Sequence, residues 1–189
     1  MKTEAFDALL ETLKKAAAAL REEDVPFLLG GGLACWVRGG PESDHDLDLM
    51  VKEEDAERAL DALARAGFRP EKPAEGWLYK AWDDGVLVDL IFHPTGIAIS
   101  DEVFERGEDL EVMATRMRVM ALEDVFVAKL LALDERSLDY ASVLEMARPV
   151  REQVDWNDVR RRTAESPYAK TFFTLVEELG VVGRSPTDA

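Results

Sequence analysis

The sequence predicts an α/β (α+β) fold followed by a C-terminal helical extension, and three observations carry that reading. Over the first two-thirds of the 189 residues, segments with helical spacing alternate with short apolar runs bounded by Gly, Pro and Asp. From Leu122 onward the spacing is helical throughout. The length suits one full core, or one core with an extension, and falls short of two large lobes.

Positions 3–23 repeat apolar residues at helical spacing through Phe6, Leu9, Leu10, Leu13 and Ala17 until Pro26 breaks the pattern, and the apolar run "FLLGG" reads as a strand. Three glycines, Gly30, Gly31 and Gly32, then lead into a short helix "LACWVR" stopped by Gly39, Gly40 and Pro41. "LDLMV" is the next strand, and "EEDAERALDALARAG" is an amphipathic helix closed by Gly67. "WLYKAW" and "VLVDLIF" form a strand pair around the turn "DDG", and "LEVMA" with "MRVMAL" forms a second, shorter pair. In the helical remainder, Ser166 and Pro167 stand as cap and first residue of a last helix. This places an α/β core at 1–120, a helical region at 121–182 and a frayed tail at 183–189.

Composition removes several functional classes. No apolar run approaches the roughly 18 residues of a membrane helix, and the N-terminus lacks the basic-then-apolar layout of a signal peptide, so a cytoplasmic location is expected. The formal net charge of −16 argues against an extended nucleic-acid surface. The basic run Arg160, Arg161 and Arg162 reads as a solvated helix face. One cysteine, Cys35, excludes an internal disulfide, and with only two histidines a typical structural zinc site is not expected.

The chemistry concentrates in "GGGLACWVRGGPESDHDLDLMV". On a strand, residues two apart share a face, so Asp46 and Asp48 project together while Leu47, Leu49 and Val51 pack behind them. At roughly 5 Å and an effective dielectric near 20 their repulsion is about 3 kcal/mol, which calls for a proton or a cation between them. Mg²⁺ is commonly held by one or two carboxylates, with phosphate oxygens and water completing its shell, so the pair suits a metal that arrives with a nucleotide. A third acid, Asp89, is the only polar side chain in "VLVDLIF". On a strand beside "LDLMV" it would share a metal or take a proton; the plainer alternative is a structural Asp paired with an Arg.

Competing motifs fail on detail. Asp44, Asp46 and Asp48 match the first three ligands of an EF-hand loop, but Leu49 stands where Gly is needed and Asp55 where Glu is needed. Cys35 replaces the later glycine of a dinucleotide fingerprint, and no Gly-Lys-Ser/Thr follows the turn.

A strand ending in Gly31 and Gly32, a short helix, Asp46-x-Asp48 on the next strand and Asp89 on a later one resembles, over roughly residues 5–92, the nucleotidyltransferase superfamily that includes DNA polymerase β. The stretch looks most like the small antibiotic nucleotidyltransferases and the abortive-infection toxin-like branch, with Arg38, Ser43 and His45 in the places of an Arg and a Ser/Thr-His-Asp-like segment. The resemblance implies a mixed sheet flanked by helices. It also implies a triphosphate cradled by Gly31 and Gly32 with Arg38 and Ser43 nearby, and two Mg²⁺ ions on Asp46 and Asp48. Asp89 would complete the second metal site and activate the acceptor hydroxyl.

The same branch carries a Lys in the later helix, and Lys129 fits, either on phosphate or snorkelling from the core edge. Arg38 would contact phosphate or substrate, or bind carbonyls at its own helix end. His45 is either a ligand-orienting group or a plain loop histidine, and Trp36, Trp77 and Trp82 are base-stacking candidates or core residues.

The expected activity is Mg²⁺-dependent transfer of a nucleoside monophosphate from an NTP such as ATP to a hydroxyl of a small molecule, protein or tRNA, with release of pyrophosphate. The alternatives are a catalytically silent binding or regulatory module of this fold, as in a toxin–antitoxin pair, and a structural domain whose acids are satisfied by Arg. The expected partners are a nucleoside triphosphate and an acceptor, with no membrane; a homodimer or a partner protein stays open.

Overall fold

The first helix, α1 (Glu4–Glu22), buries Phe6, Leu9, Leu10, Leu13 and Leu20 along one stripe, as its spacing requires. It ends where Asp24 takes a positive φ of 50°, and the chain enters β1 (Leu28–Leu29). The coordinates are a computed structural model that describes residues 4–42 and 46–183. Ser43, Asp44, His45 and most of the 183–189 tail lie outside the described residues.

After β1 come α2 (Gly31–Trp36), β2 (Leu47–Met50), a 3-10 turn over Glu53–Asp55 and α3 (Ala56–Arg65). Next are β3 (Arg69–Glu71), β4 (Leu78–Asp83) and β5 (Val86–Ile91), then α4 (Asp101–Arg106), β6 (Glu108–Val112) and β7 (Thr115–Val119). The remainder is helical: α5 (Leu122–Leu131), α6 (Tyr140–Val150), α7 (Trp156–Arg162) and α8 (Pro167–Glu178).

Among the described residues the seven strands form one mixed sheet in the order β3-β4-β5-β2-β1-β7-β6. β2 runs parallel to β5 and β1 parallel to β7, while the other neighbours are antiparallel. The mixed sheet flanked by helices is the architecture that the family resemblance implied. α1 packs on α3, and α3 on β3, β4 and β5. α5 is the hub of the helical part, touching α2, α6, α7 and α8. One apolar cluster runs through both parts, from Phe6 and Leu49 to Phe126 and Phe172.

Several boundaries differ from the sequence reading for identifiable reasons. "FLLGG" contributes only Leu28 and Leu29 to strand, and α2 begins at Gly31, two residues before "LACWVR". β3 and α4 were not expected: β3 is an exposed edge strand containing Pro70, a residue tolerated only where a ladder N–H is dispensable. The helical remainder is interrupted after α5, where the Asp134 carboxylate accepts the N–H groups of Arg136 and Ser137 in a side-chain-closed turn. Ser166 caps α8 as expected, accepting from the Ala169 N–H with Pro167 at the first turn.

A buried carboxylate ties three helices together. Asp124, at the start of α5, is 0% exposed and receives Nε and Nη2 of Arg106 from α4 at 3.0 Å each. Arg162 of α7 donates to the same carboxylate and to Asp158. The run Arg160–Arg162 is therefore not a uniform solvated face: Arg160 pairs with Glu177 of α8, Arg162 reaches inward, and only Arg161 is exposed.

Candidate active site

The parallel pairing of β2 with β5 sets Asp48 directly beside Asp89. Residues in register on neighbouring strands lie about 4.8 Å apart and point to the same face, so two acids 41 positions apart in sequence become neighbours. Asp46 stands exposed just before β2, two residues from Asp48. Its charge is felt at both of the other carboxylates.

The glycine turn closes against the first of these acids. Gly30 N–H donates to the Asp48 carbonyl at 2.9 Å, tying the turn to β2. Gly31 has φ +54°, and a Cβ there would sit 1.7 Å from Asp48 Oδ2. Only glycine permits both that backbone conformation and that approach. Gly32 follows as the second residue of α2.

A cavity of about 490 Å³ opens over this arrangement. Gly31, Asp48, Asp89 and Lys129 are among its lining residues. Met50, Ile91, Met120 and Val125 supply apolar lining, as does Trp77, which is 41% exposed. Lys129 projects from α5, the helix that the Asp124 cluster holds in place. Trp36 instead packs edge-on to Phe6, and Trp82 lies over Arg69 while donating to Glu71.

Electrostatically the acids are underpaired. Burial pushes the Asp48 carboxyl up to about 6, reinforced by Asp89 and Asp46 and opposed chiefly by Lys129. Burial also raises Asp89, which is 7% exposed, against the opposing charge and hydrogen bond of Lys80. Lys80 sits on β4 directly across from Asp89, with Nζ 3.3 Å from Oδ1. Among the described residues, no three His, Cys, Asp or Glu side chains converge closely enough to hold a metal between them. The donor set still suits one hard cation, since Mg²⁺ needs only one or two carboxylates when phosphate and water supply the rest.

Arg38 lies elsewhere. Its Nη1 donates to the Ala34 carbonyl at 2.9 Å and its Nη2 is 3.4 Å from Glu108, beside a separate cavity of about 360 Å³. Ser43 and His45 fall outside the described residues. Lys80 was missed by the sequence reading, although a signal was present. Asp84 and Gly85 have φ 47° and 90°, the two positive values of a tight hairpin turn. Counting outward from that "DDG" turn puts Lys80 opposite Asp89.

The architecture is shared with solved nucleotidyltransferases. The antibiotic-resistance factor ANT(2'')-Ia in solution superposes with a TM-score of 0.63 at 15% identity, covering 92% of this chain and 97% of that one. The crystal structure of ANT(2'')-Ia with adenylyl-2''-tobramycin gives a TM-score of 0.64 at 18% identity over 88% and 97% of the two chains. A Thermotoga maritima protein solved as a candidate nucleotidyltransferase gives 0.52 at 18% identity, over 76% and 91%. A search of curated proteins found no match.

The family is shown by sequence. A family model described as an uncharacterised nucleotidyltransferase matches residues 3–177, so the chain belongs to that nucleotidyltransferase family, whose class of enzyme carries out nucleotidyl transfer. Among the described residues no helix is long and apolar enough to cross a membrane.

Proposed function

We propose that this protein transfers a nucleoside monophosphate from an NTP to a hydroxyl acceptor, with Mg²⁺ and with release of pyrophosphate. The observation that carries the reading is the in-register pair Asp48–Asp89, which lines a cavity together with Lys129 and with Gly31, whose backbone lies against Asp48. Asp46 and Asp48 would hold the Mg²⁺, which when bound neutralises phosphate charge. Gly31 and Gly32 bring backbone close to the triphosphate, and Lys129 supplies a cation to it. Ser43 is assigned to the nucleotide on the resemblance alone. Arg38, hydrogen-bonded to Ala34 and facing Glu108 beside the other cavity, is left out.

Asp89 takes the proton of the acceptor hydroxyl as its oxygen attacks the α-phosphorus and the bond to pyrophosphate breaks. The solved complex of ANT(2'')-Ia with an adenylylated antibiotic supports a small-molecule acceptor, as does the net charge of −16, which disfavours a long nucleic acid. The cavity volume of about 490 Å³ is in the range of small-molecule sites.

Calorimetric titration of ATP, GTP, CTP and UTP with and without Mg²⁺ tests the reading. At least one nucleotide should bind only with Mg²⁺, and the Asp46→Asn/Asp48→Asn double variant should lose that binding. Pyrophosphate should then appear with a pool of hydroxyl acceptors. No nucleotide binding with Mg²⁺ would remove the proposal; binding without pyrophosphate from any acceptor would leave a silent member of the fold.

A further inference from the structure

We propose that Lys80 takes the place of a second divalent ion, so that the site works with one metal on Asp46 and Asp48 and a built-in ammonium on Asp89. This rests on the transferase reading above. The Lys80–Asp89 pairing is a property of the backbone register: Asp83 pairs with Val86 next to the turn, and three steps further along the ladder Lys80 faces Asp89. Residues paired this way project to the same face. The ammonium reaches Oδ1 at 3.3 Å, and its side chain is only 26% exposed.

A second divalent ion would need Asp89 as a ligand at about 2.1 Å, where it would sit against the Lys80 ammonium. The two cations compete for one carboxylate, and the lysine is tethered there. The absence of a three-acid cluster among the described residues accords with this: Asp89 is paired with Lys80, and Asp46 lies exposed before β2.

Counting metal ions tests this directly. Purified protein is dialysed against Mn²⁺ with α,β-methylene-ATP, and in a parallel arm with inorganic tripolyphosphate, which carries no base. Bound ions are counted, and electron paramagnetic resonance reports whether any two are close enough to couple. The wild type should bind one ion per chain without coupling, Lys80→Arg should also bind one, and Lys80→Met should bind two with a coupled spectrum. With Mg²⁺, turnover of Lys80→Met should fall on the order of 100-fold, the usual cost of removing one preorganised electrostatic group, and recover as Mg²⁺ is raised.

Two ions on the wild type would overturn the role of Lys80 while leaving the transferase reading intact, and this result does not depend on any variant folding. One ion on both wild type and Lys80→Met would overturn it as well, since Lys80 would then not be what excludes the second. No ion in either arm would overturn the nucleotide-and-metal reading itself.

Discussion

Two carboxylates in this chain, one fully enclosed and one part-buried, meet opposite fates. Asp124 is enclosed and receives a two-pronged hydrogen bond from Arg106 and a further one from Arg162. Asp48 is part-buried on β2, its neighbours are two more acids, and the charges of Lys129 and Lys80 only partly offset the cost of its desolvation. A carboxylate whose lone pairs are filled by guanidinium forks is a joint between helices. One that burial penalises and no Arg satisfies is left open to a cation from outside, and that contrast separates structure from chemistry here.

The largest expected effect breaks the joint. Asp124→Asn leaves Arg106 and Arg162 without their shared partner, and the loss of one member of a buried ion network costs about 3 kcal/mol or more. The lower end applies because the Arg106 side chain is 44% exposed. For a chain of this size the thermal midpoint should drop on the order of 10 °C. An unchanged melting curve would mean that the cluster contributes no net stability.

The middle effect has the opposite sign. Folding raises the Asp48 pKa from 3.8 to about 6, so the folded state binds a proton more tightly than the unfolded one. The resulting penalty is absent below about pH 3.8, grows between there and about pH 6, and is fully present above. Asp48→Asn should therefore be more stable than the wild type by about 1–3 kcal/mol at pH 7.5, with the gap closing near pH 4. It should also lose transfer activity. Denaturant melts across that pH range, without metal or nucleotide, check the sign. A variant less stable than the wild type at pH 7.5 would show that Asp48 is held by contacts outside this account.

The smallest effect is at Arg161, exposed and, among the described residues, paired with Asp158 of its own helix. Its replacement by Ala should change stability by less than about 0.5 kcal/mol. Arg162→Ala, one position on, should cost several times more, because Arg162 belongs to the Asp124 joint. Equal melting curves for the two variants would dissolve the distinction within "RRR".

The readable parts of the sequence were those governed by short-range pattern. The stripe of α1, the Ser166–Pro167 start of α8 and the "DDG" hairpin were all legible because spacing, cap and turn act within a few residues. β3 was missed because three exposed residues with a central Pro70 carry no strand signal until β4 is beside them. α4 was missed because six residues are too few to show a period. At the site, the type and spacing of Asp46 and Asp48 and the isolation of Asp89 were visible. The pairing of Lys80 was visible in principle through the turn, but a lone Lys in "WLYKAW" looks like any solvent-facing strand residue.

By itself the sequence determined which local elements form and which residue types are out of place in them: three acids near apolar strands, a glycine turn, and a lysine on or beside the apolar stripe of α5. Those follow from side-chain periodicity and backbone sterics. The tertiary structure decided who meets whom. Parallel pairing of β2 and β5 placed Asp48 in register with Asp89, α5 brought Lys129 over them, and Arg38 was turned toward Glu108. Strand register is selected by burying one face of the sheet against distant helices, an energy shared across the whole core that no short stretch of chain can express.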